Sequence, residues 1–481
     1  MIALTAEEIA SAVGGRLRGA ANPEKLTVTH ADTDSRGMRA DALFVAKPGE
    51  RTDGHLFIDA ALEAGAVLVL AERETDSPNG TPHPAVIVED VIRAMGALAA
   101  EIVRRIRAHS ETTVIGITGS SGKTTTKDLL RALLEPEGPT VAPQGSYNGE
   151  VGVPLTIFMA ELETRHLIVE MGADAPGNIA DLCEIVRPDI GVVLMVGSAH
   201  AGKFGGADKI ALTKGELAAG ATGHVLLNAD DSQVTAMAER ASAPVTWFGE
   251  AASSEIQAQD VTTDSAGHPV LTLAHRDADS ASSEGYRITS GLTGTHHVTN
   301  ILAAAAAAYR AGADLQTIAA RLDGLGPSSR WRMERIERAD GVTIINDAYN
   351  ANPESMREAL KTLARLAHPE AGEDRRSVAV LGAMLELGDE HNIAHIRTGE
   401  TVVRLNIDRT LVVGDDAYPL YRGAVAEGSW DDEVQWVPTS EEAEAWLQEN
   451  LRPGDVVLFK SSNGVGLRLL GDRVAGREDS Q

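Results

Sequence analysis

A chain of 481 residues with 43% apolar and 23% charged side chains is a globular composition too long for one hydrophobic core, so two to four domains are expected. Its 70 acidic against 43 basic residues leave a formal net charge of −27. That balance excludes nucleic acid and anionic membrane as partners, and an anionic ligand must be met by local cations and backbone N–H groups. The single cysteine, Cys183, excludes an intrachain disulfide and fits a reducing compartment. The start does not read as a signal peptide and no run reaches about 18 apolar residues. A cytoplasmic protein without membrane insertion is expected, with a monomer as its working form.

Residues 1–88 alternate short apolar runs (43–46, 66–70) with turns and a helix-period stretch at 57–64, the pattern of a small α/β domain. Residues 74–84, with Pro and Gly, are its exit loop. Two polar stretches stand out: Asp32-Thr33-Asp34-Ser35-Arg36-Gly37, and the segment 47–55 holding Lys47, Asp53, Gly54 and His55. Alone, both read as surface turns in which Asp and Ser bond their own backbone.

A helix at 92–106 leads into an apolar strand at 113–117 and then Thr118-Gly119-Ser120-Ser121-Gly122-Lys123-Thr124-Thr125-Thr126. Glycines let successive N–H groups face one anion, with the positive end of the helix dipole behind it. Lys123 supplies a point charge for terminal phosphates, and the Thr124 hydroxyl suits magnesium. The strict eight-residue pattern wants Gly where Ile117 stands; the strand–loop–helix context still predicts a nucleoside triphosphate site.

Further strands at 140–141, 167–169 and 190–196 alternate with helices, as in a largely parallel sheet whose ligands gather at the strands' carboxyl ends. Glu170 follows one strand and His200 another, and both suit magnesium beside phosphates. Lys214, in a helical stretch, reads alone as a solvated lysine. Residues 250–290 read as turn-rich and polar, with a hairpin tip or loop at 277–285. His296 and Asn300 stand at the entrance of an alanine-rich helix, where an imidazole and an amide serve either capping or the reading of a nucleobase edge.

From about residue 327 a third unit begins, with strands at 342–345, 377–381, 410–413 and 456–459 separated by helices. Polar residues again follow the strands: Asn346-Asp347 after the first and Lys460-Ser461-Ser462 after the last.

Together these pieces resemble the Mur ligase family over essentially the whole chain. The resemblance rests on Asn346-Asp347-Ala348-Tyr349-Asn350-Ala351-Asn352-Pro353-Glu354-Ser355-Met356, on Leu381-Gly382-Ala383-Met384-Leu385-Glu386-Leu387-Gly388, and on Tyr147-Asn148-Gly149-Glu150-Val151-Gly152-Val153-Pro154. It implies an α/β fold of three domains: a small N-terminal domain (1–88) for a UDP-sugar, a central P-loop ATPase-type parallel-sheet domain (89–326), and a C-terminal Rossmann-like domain (327–481) for the incoming dipeptide. The activity implied is ATP-dependent joining of D-Ala-D-Ala to UDP-N-acetylmuramoyl-tripeptide through an acyl phosphate, a step of peptidoglycan precursor synthesis.

By the same resemblance Asp34, Ser35, Arg36 and residues 47–55 hold the UDP-sugar, and Asn148 lies on the substrate side. Residues 118–125 hold ATP phosphates, with Thr124 and Glu170 on one magnesium. His200 and Lys214, the lysine as its carbamate, serve a second. His296 and Asn300 lie at the adenine side. Arg332, Asp347, Tyr349, Asn350 and Asn352 close over nucleotide and substrate, with Lys460 nearby. The chain departs from the family at Ala383, where an acidic residue is common, and at His297, often Asn. It also departs in 196–199 and in Lys460-Ser461-Ser462-Asn463. Two other readings stay open: a family member adding a single amino acid, and a P-loop switch protein.

Overall fold

The computed structural model describes residues 1–49, 52–197, 207–276, 284–369 and 373–477. Three large sheets organise them, beside a two-stranded pairing of Leu4–Thr5 with Thr27–Val28. The N-terminal sheet has five strands in the order Arg16–Arg18, Ala85–Ile87, Ala66–Ala71, Ala42–Val45 and His30–Asp32, parallel except at the first pairing. Its central strands are apolar on both faces, as a doubly covered parallel sheet demands.

The central sheet has nine strands. Strand Thr113–Thr118 lies between His166–Glu170 and Ile190–Val193, all parallel. Beyond them come Thr140–Val141 on one side and His224–Asn228 and Val245–Gly249 on the other. The chain order reverses around Thr113–Thr118, which opens a crevice at the carboxyl ends of these strands. The strand expected at 190–196 is shorter, Ile190–Val193.

The stretch 250–290 corrects the sequence reading. It contains strands Ile256–Thr263, Pro269–His275 and Glu284–Thr289, of which the first joins Val245–Gly249 in parallel and the other two extend the edge antiparallel. The apolar core is met on one face, by Ile256, Ala258, Leu271, Leu273 and Ile288. The polar residues between them made a half-buried strand look like loop. Most of the expected hairpin tip lies outside the described residues.

Helix Val91–His109 is longer than the 92–106 of the sequence reading and is capped by Asp90, whose side chain accepts from the N–H groups of Ile92 and Arg93. Its apolar face shares one core with Leu43, Val45 and Leu68 of the first sheet and Val114 and Leu167 of the second. Cys183 is buried in this core, which pushes its thiol up to about 12 and makes it an inert packing group.

The third sheet runs Glu334–Glu337, Thr343–Asn346, Val456–Lys460, Ser377–Leu381, Arg409–Val413 and Val434–Val437, parallel except for the first strand. Its register pairs Asn346 with Phe459 and Leu381 with Lys460, so Asp347, Lys460 and Gly382 emerge at one end. Among the described residues, no helix is long and apolar enough to cross a membrane.

Candidate active site

The fully buried strand end at Thr118 turns through residues 119–122 into helix Lys123–Leu134. Gly122 is left-handed at φ 87°, and a Cβ there would lie 2.2 Å from Asn300 Oδ1, so glycine is required twice over. The loop is tied to the exit of the neighbouring strand: Ser120 N–H donates to Met195 O at 3.0 Å, and Ser120 Oγ accepts Gly197 N–H at 2.8 Å. The first-turn N–H groups have no partner within the helix and face outward as an anion cradle.

Lys123 Nζ donates to Gly119 O at 2.7 Å. Burial pulls its ammonium below the usual lysine range; Glu170 opposes that and Arg332 adds to it. Glu170, the last residue of its strand, is 2% exposed. Its Oε2 accepts from Ser146 Oγ at 3.0 Å and Thr124 Oγ1 at 3.3 Å, while Oε1 is buried without a hydrogen-bond donor among the described residues. A buried carboxylate beside a hydroxyl is a hard-oxygen pair that would fit a magnesium ion. Behind it Lys127, 2% exposed, brings Nζ 3.4 Å from Glu170 Oε1 and Asp128 Oδ1 and donates to the carbonyls of Pro143 and Gly145.

The third unit closes the other side. Lys460 Nζ meets Asp347 Oδ2 at 2.5 Å and donates to Asn350 O at 3.0 Å. Burial lowers the lysine and Asp347 opposes the shift. Asp347 Oδ1 also accepts Met333 N–H at 3.0 Å. The Arg332 guanidinium stacks 4.2 Å above the Tyr349 ring and donates to Thr124 Oγ1 at 3.3 Å. Tyr349 OH accepts Ser146 N–H at 3.3 Å, so tyrosine and arginine span both units. Asn352 caps helix Pro353–Ala367, accepting Ser355 N–H at 2.8 Å.

Between the units lies a cavity of about 620 Å³. Residues 120–125, Asn148, His296, Asn300, Arg332, Asp347, Asn350, Asn352 and Lys460 all reach its wall. Thr118 does not; its hydroxyl donates to Met171 O at 2.7 Å. Tyr349 faces a smaller cavity of about 220 Å³ across Arg332. In an acidic chain, the convergence of Lys123, Arg332 and Lys460 here marks an anion site.

The N-terminal group stands elsewhere. Asp34 and Arg36 pair with each other at 2.7 Å on an exposed turn, and the guanidinium pulls the Asp34 carboxyl down to about 2. Asp53 joins Arg73 at 2.5 Å and His55 Nδ1 at 2.6 Å, and lies well below the usual carboxylate range for those reasons. His55 Nε2 accepts Glu72 N–H at 3.1 Å. Both His55 ring nitrogens are therefore bonded within the protein, and the residue is a clasp of this loop. Gly54 N–H donates to Lys47 O at 2.9 Å and closes it. Ser35 sits half-buried on the Asp34 turn. Lys214, 7% exposed in helix Ala207–Gly220, is pushed well below its usual range by burial and by the Lys123 charge. His200 lies outside the described residues.

Sequence reasoning passed over Lys127, Ser146, and the cavity-lining Asn228, Asp230 and Asp231. Asn228 Nδ2 donates to Leu194 O at 2.8 Å and Asp231 Oδ2 accepts Val196 N–H at 2.9 Å, so both hold the strand exit beside the phosphate loop. Their place after strand His224–Asn228 was a usable signal. Lys127 had none, since a helix lysine reads as solvent-facing.

Fold and site together define a P-loop nucleotide-binding protein whose cavity is completed by a second, Rossmann-like α/β unit. The Mur ligase family catalytic domain matches residues 27–109, the Mur ligase middle domain 117–308, and the Mur ligase glutamate ligase domain 331–463. The UDP-N-acetylmuramoyl-tripeptide--D-alanyl-D-alanine ligase of Mycobacterium tuberculosis is 42% identical over 507 residues, 98% of either chain. A crystal structure of MurF from Acinetobacter baumannii has a TM-score of 0.84 at 28% identity, covering 99% of both chains. MurF of Thermotoga maritima in complex with ADP has 0.74 at 28% identity, covering 94% of this chain and 99% of that one. The chain belongs to the Mur ligase family.

Proposed function

We propose that this enzyme joins D-Ala-D-Ala to UDP-N-acetylmuramoyl-tripeptide with ATP, giving the UDP-pentapeptide, ADP and phosphate, as a cytoplasmic monomer. The full-length likeness to the mycobacterial ligase carries the choice of substrates. The two-sided cavity supports the chemistry.

A carboxylate resists an amine because its charge repels the lone pair and it has no leaving group. An oxygen of the tripeptide carboxylate attacks the γ-phosphorus and ADP leaves. The dipeptide amine then attacks the acyl carbon and loses a proton, and phosphate departs. Positioning and charge neutralisation dominate such transfers. Residues 119–125 cradle the phosphates, and Lys123 offsets charge on the terminal one. Thr124 and Glu170 hold a magnesium ion, which neutralises phosphate charge when bound. Arg332, Asp347, Tyr349, Asn350, Asn352 and Lys460 close the reacting groups in from residues 327–481. Residues 1–88, through Asp34, Ser35, Arg36, Lys47, Asp53 and Gly54, hold the UDP-sugar; His55 supports that loop.

The test supplies ATP, magnesium, UDP-MurNAc-tripeptide and D-Ala-D-Ala and follows phosphate and pentapeptide together. One phosphate per pentapeptide, dependent on the dipeptide, is expected. Phosphate release indifferent to the dipeptide, or faster turnover with a single diamino acid, defeats the reading.

Lys214 is assigned as a carbamate, serving a second cation with His200. Burial favours its neutral amine, the form that adds CO2, and the carbamate offers anionic oxygens to a hard cation. As pH falls through the depressed pKa the ammonium forms and addition stops. Enzyme freed of CO2 should therefore lose turnover, more completely at lower pH, and recover it with bicarbonate. Lys214→Ala should respond to short carboxylates and ignore bicarbonate. Full activity of CO2-free enzyme at every pH defeats the assignment.

A further inference from the structure

Beside the large cavity lies a smaller one of about 200 Å³ to which the reaction above gives no task. Asn350 and Asn352 line both, so the two spaces adjoin across that turn. Among the described residues no lysine or arginine lines the smaller one, while Glu386 does. Such a wall is ill suited to phosphate and suits a small ligand bearing an ammonium group. Glu386 stands at φ 64°, a conformation that a residue with a side chain keeps only where its neighbours enforce it. On its near side Leu385 N–H donates to Ser462 Oγ at 2.9 Å, and Ser462 N–H donates to Ala383 O at 2.9 Å. Between them Met384 N–H donates to His395 Nε2 at 2.9 Å. His395, in helix His391–Arg404, is fully buried. A backbone N–H only donates, so Nε2 accepts. The other ring nitrogen, Nδ1, stands 2.7 Å from His391 O, which only accepts, and so carries the proton. Burial pulls the imidazole down to about 4, which leaves it neutral at pH 7. His391 in turn donates from Nε2 to Asp416 O at 2.8 Å, which anchors the support just beyond strand Arg409–Val413.

We propose that His395 is a positioning residue for the incoming amine: fixed as its Nδ1–H tautomer, it holds Met384, and with it the left-handed turn at Glu386, as the wall that receives the dipeptide. The proposal rests on the reading of residues 327–481 as the dipeptide's domain. His395 itself touches no substrate. Glu386 gives this wall the sign that an ammonium needs, and the shared Asn350 and Asn352 open the space toward the cavity of Lys123. Without the imidazole a buried N–H is left unpaired, a cost the turn relieves by moving. The wall then shifts, while the phosphate loop, which belongs to another sheet, does not.

The test measures kcat and the KM of each substrate in the full-length enzyme. His395→Leu should raise KM for D-Ala-D-Ala about tenfold, with KM for ATP and for UDP-MurNAc-tripeptide, and kcat at saturating dipeptide, within about twofold. His395→Gln, whose amide oxygen accepts the same N–H, should recover most of that KM. Ser462→Ala removes the acceptor of the next N–H in the turn and should raise the same KM, which keeps the proposal open to refutation even where His395→Leu does not fold. Nitrogen-15 spectra should show wild-type His395 protonated at Nδ1. A wild-type ring protonated at Nε2 overturns the proposal without any variant. Equal rises in all three KM values, or a dipeptide KM that Ser462→Ala leaves unchanged, overturn it as well and make His395 a packing residue of its helix. Wild-type turnover that ignores the dipeptide would instead remove the reading beneath it.

Discussion

Lys123→Ala should lower kcat by on the order of 10³-fold or more, the scale seen when a charge-stabilising donor is taken from a closed site. The affinity for UDP-MurNAc-tripeptide, by calorimetry, should stay within a small factor. The separation follows from the fold. Lys123 belongs to the loop between strand Thr113–Thr118 and helix Lys123–Leu134, whereas the sugar-side candidates Asp34, Arg36 and Asp53 belong to another sheet and none lines the Lys123 cavity. The folded state should not lose melting temperature, because burial already works against this ammonium and groups shaped for catalysis commonly hold stability down. Lys123→Arg should rescue little, since a planar guanidinium cannot take the place of a compact point charge that bonds Gly119 O. Equal losses in turnover, tripeptide affinity and melting temperature would make Lys123 a structural residue instead.

What was legible in the sequence was what local chemistry dictates. Glycines at 119 and 122, a lysine and a hydroxyl after an apolar strand allow few conformations, so the loop could be read outright. The carboxyl-end rule for parallel strands brought in Glu170, Asp347 and Lys460, and the register Leu381 to Lys460 gathers the latter two at one end of their sheet. The rest depends on distant pairings. His55 looks like a polar ligand in a turn until Glu72, brought in by the end of the neighbouring strand, donates to its Nε2. Asn300 reads in the sequence only as a polar residue at a helix entrance; that Thr126 donates to its Oδ1 and that its Nδ2 meets His297 Nδ1 follows from the packing of two helices far apart in the chain. The strands between 256 and 289 hid because one face meets solvent and breaks their apolar runs.

Lys127 is the sharpest of the residues hidden from the sequence, and Lys127→Met should be the most destabilising single change at the site. Its Nζ is 3.4 Å from Glu170 Oε1 and bonds Gly145 O at 2.7 Å, in a place where both charged residues are 2% exposed. Methionine fills the volume but leaves the carboxylate without its buried cation, a loss of about 3–5 kcal/mol. For a unit of roughly 200 residues that corresponds to a fall of about 10 °C in the calorimetric transition. Turnover should fall as well, since the Pro143–Gly145 carbonyls that Lys127 holds lead directly to Ser146, which donates to Glu170 Oε2 at 3.0 Å. The double variant Lys127→Met/Glu170→Gln decides the cause. If the cost is the stranded charge, neutralising it should return much of the lost stability, so the two changes fall well short of additive, while activity stays absent because the proposed magnesium carboxylate is gone. Strict additivity, or a single-variant cost near zero, would mean that the ion pair carries no stability and that Lys127 acts only through its carbonyl bonds.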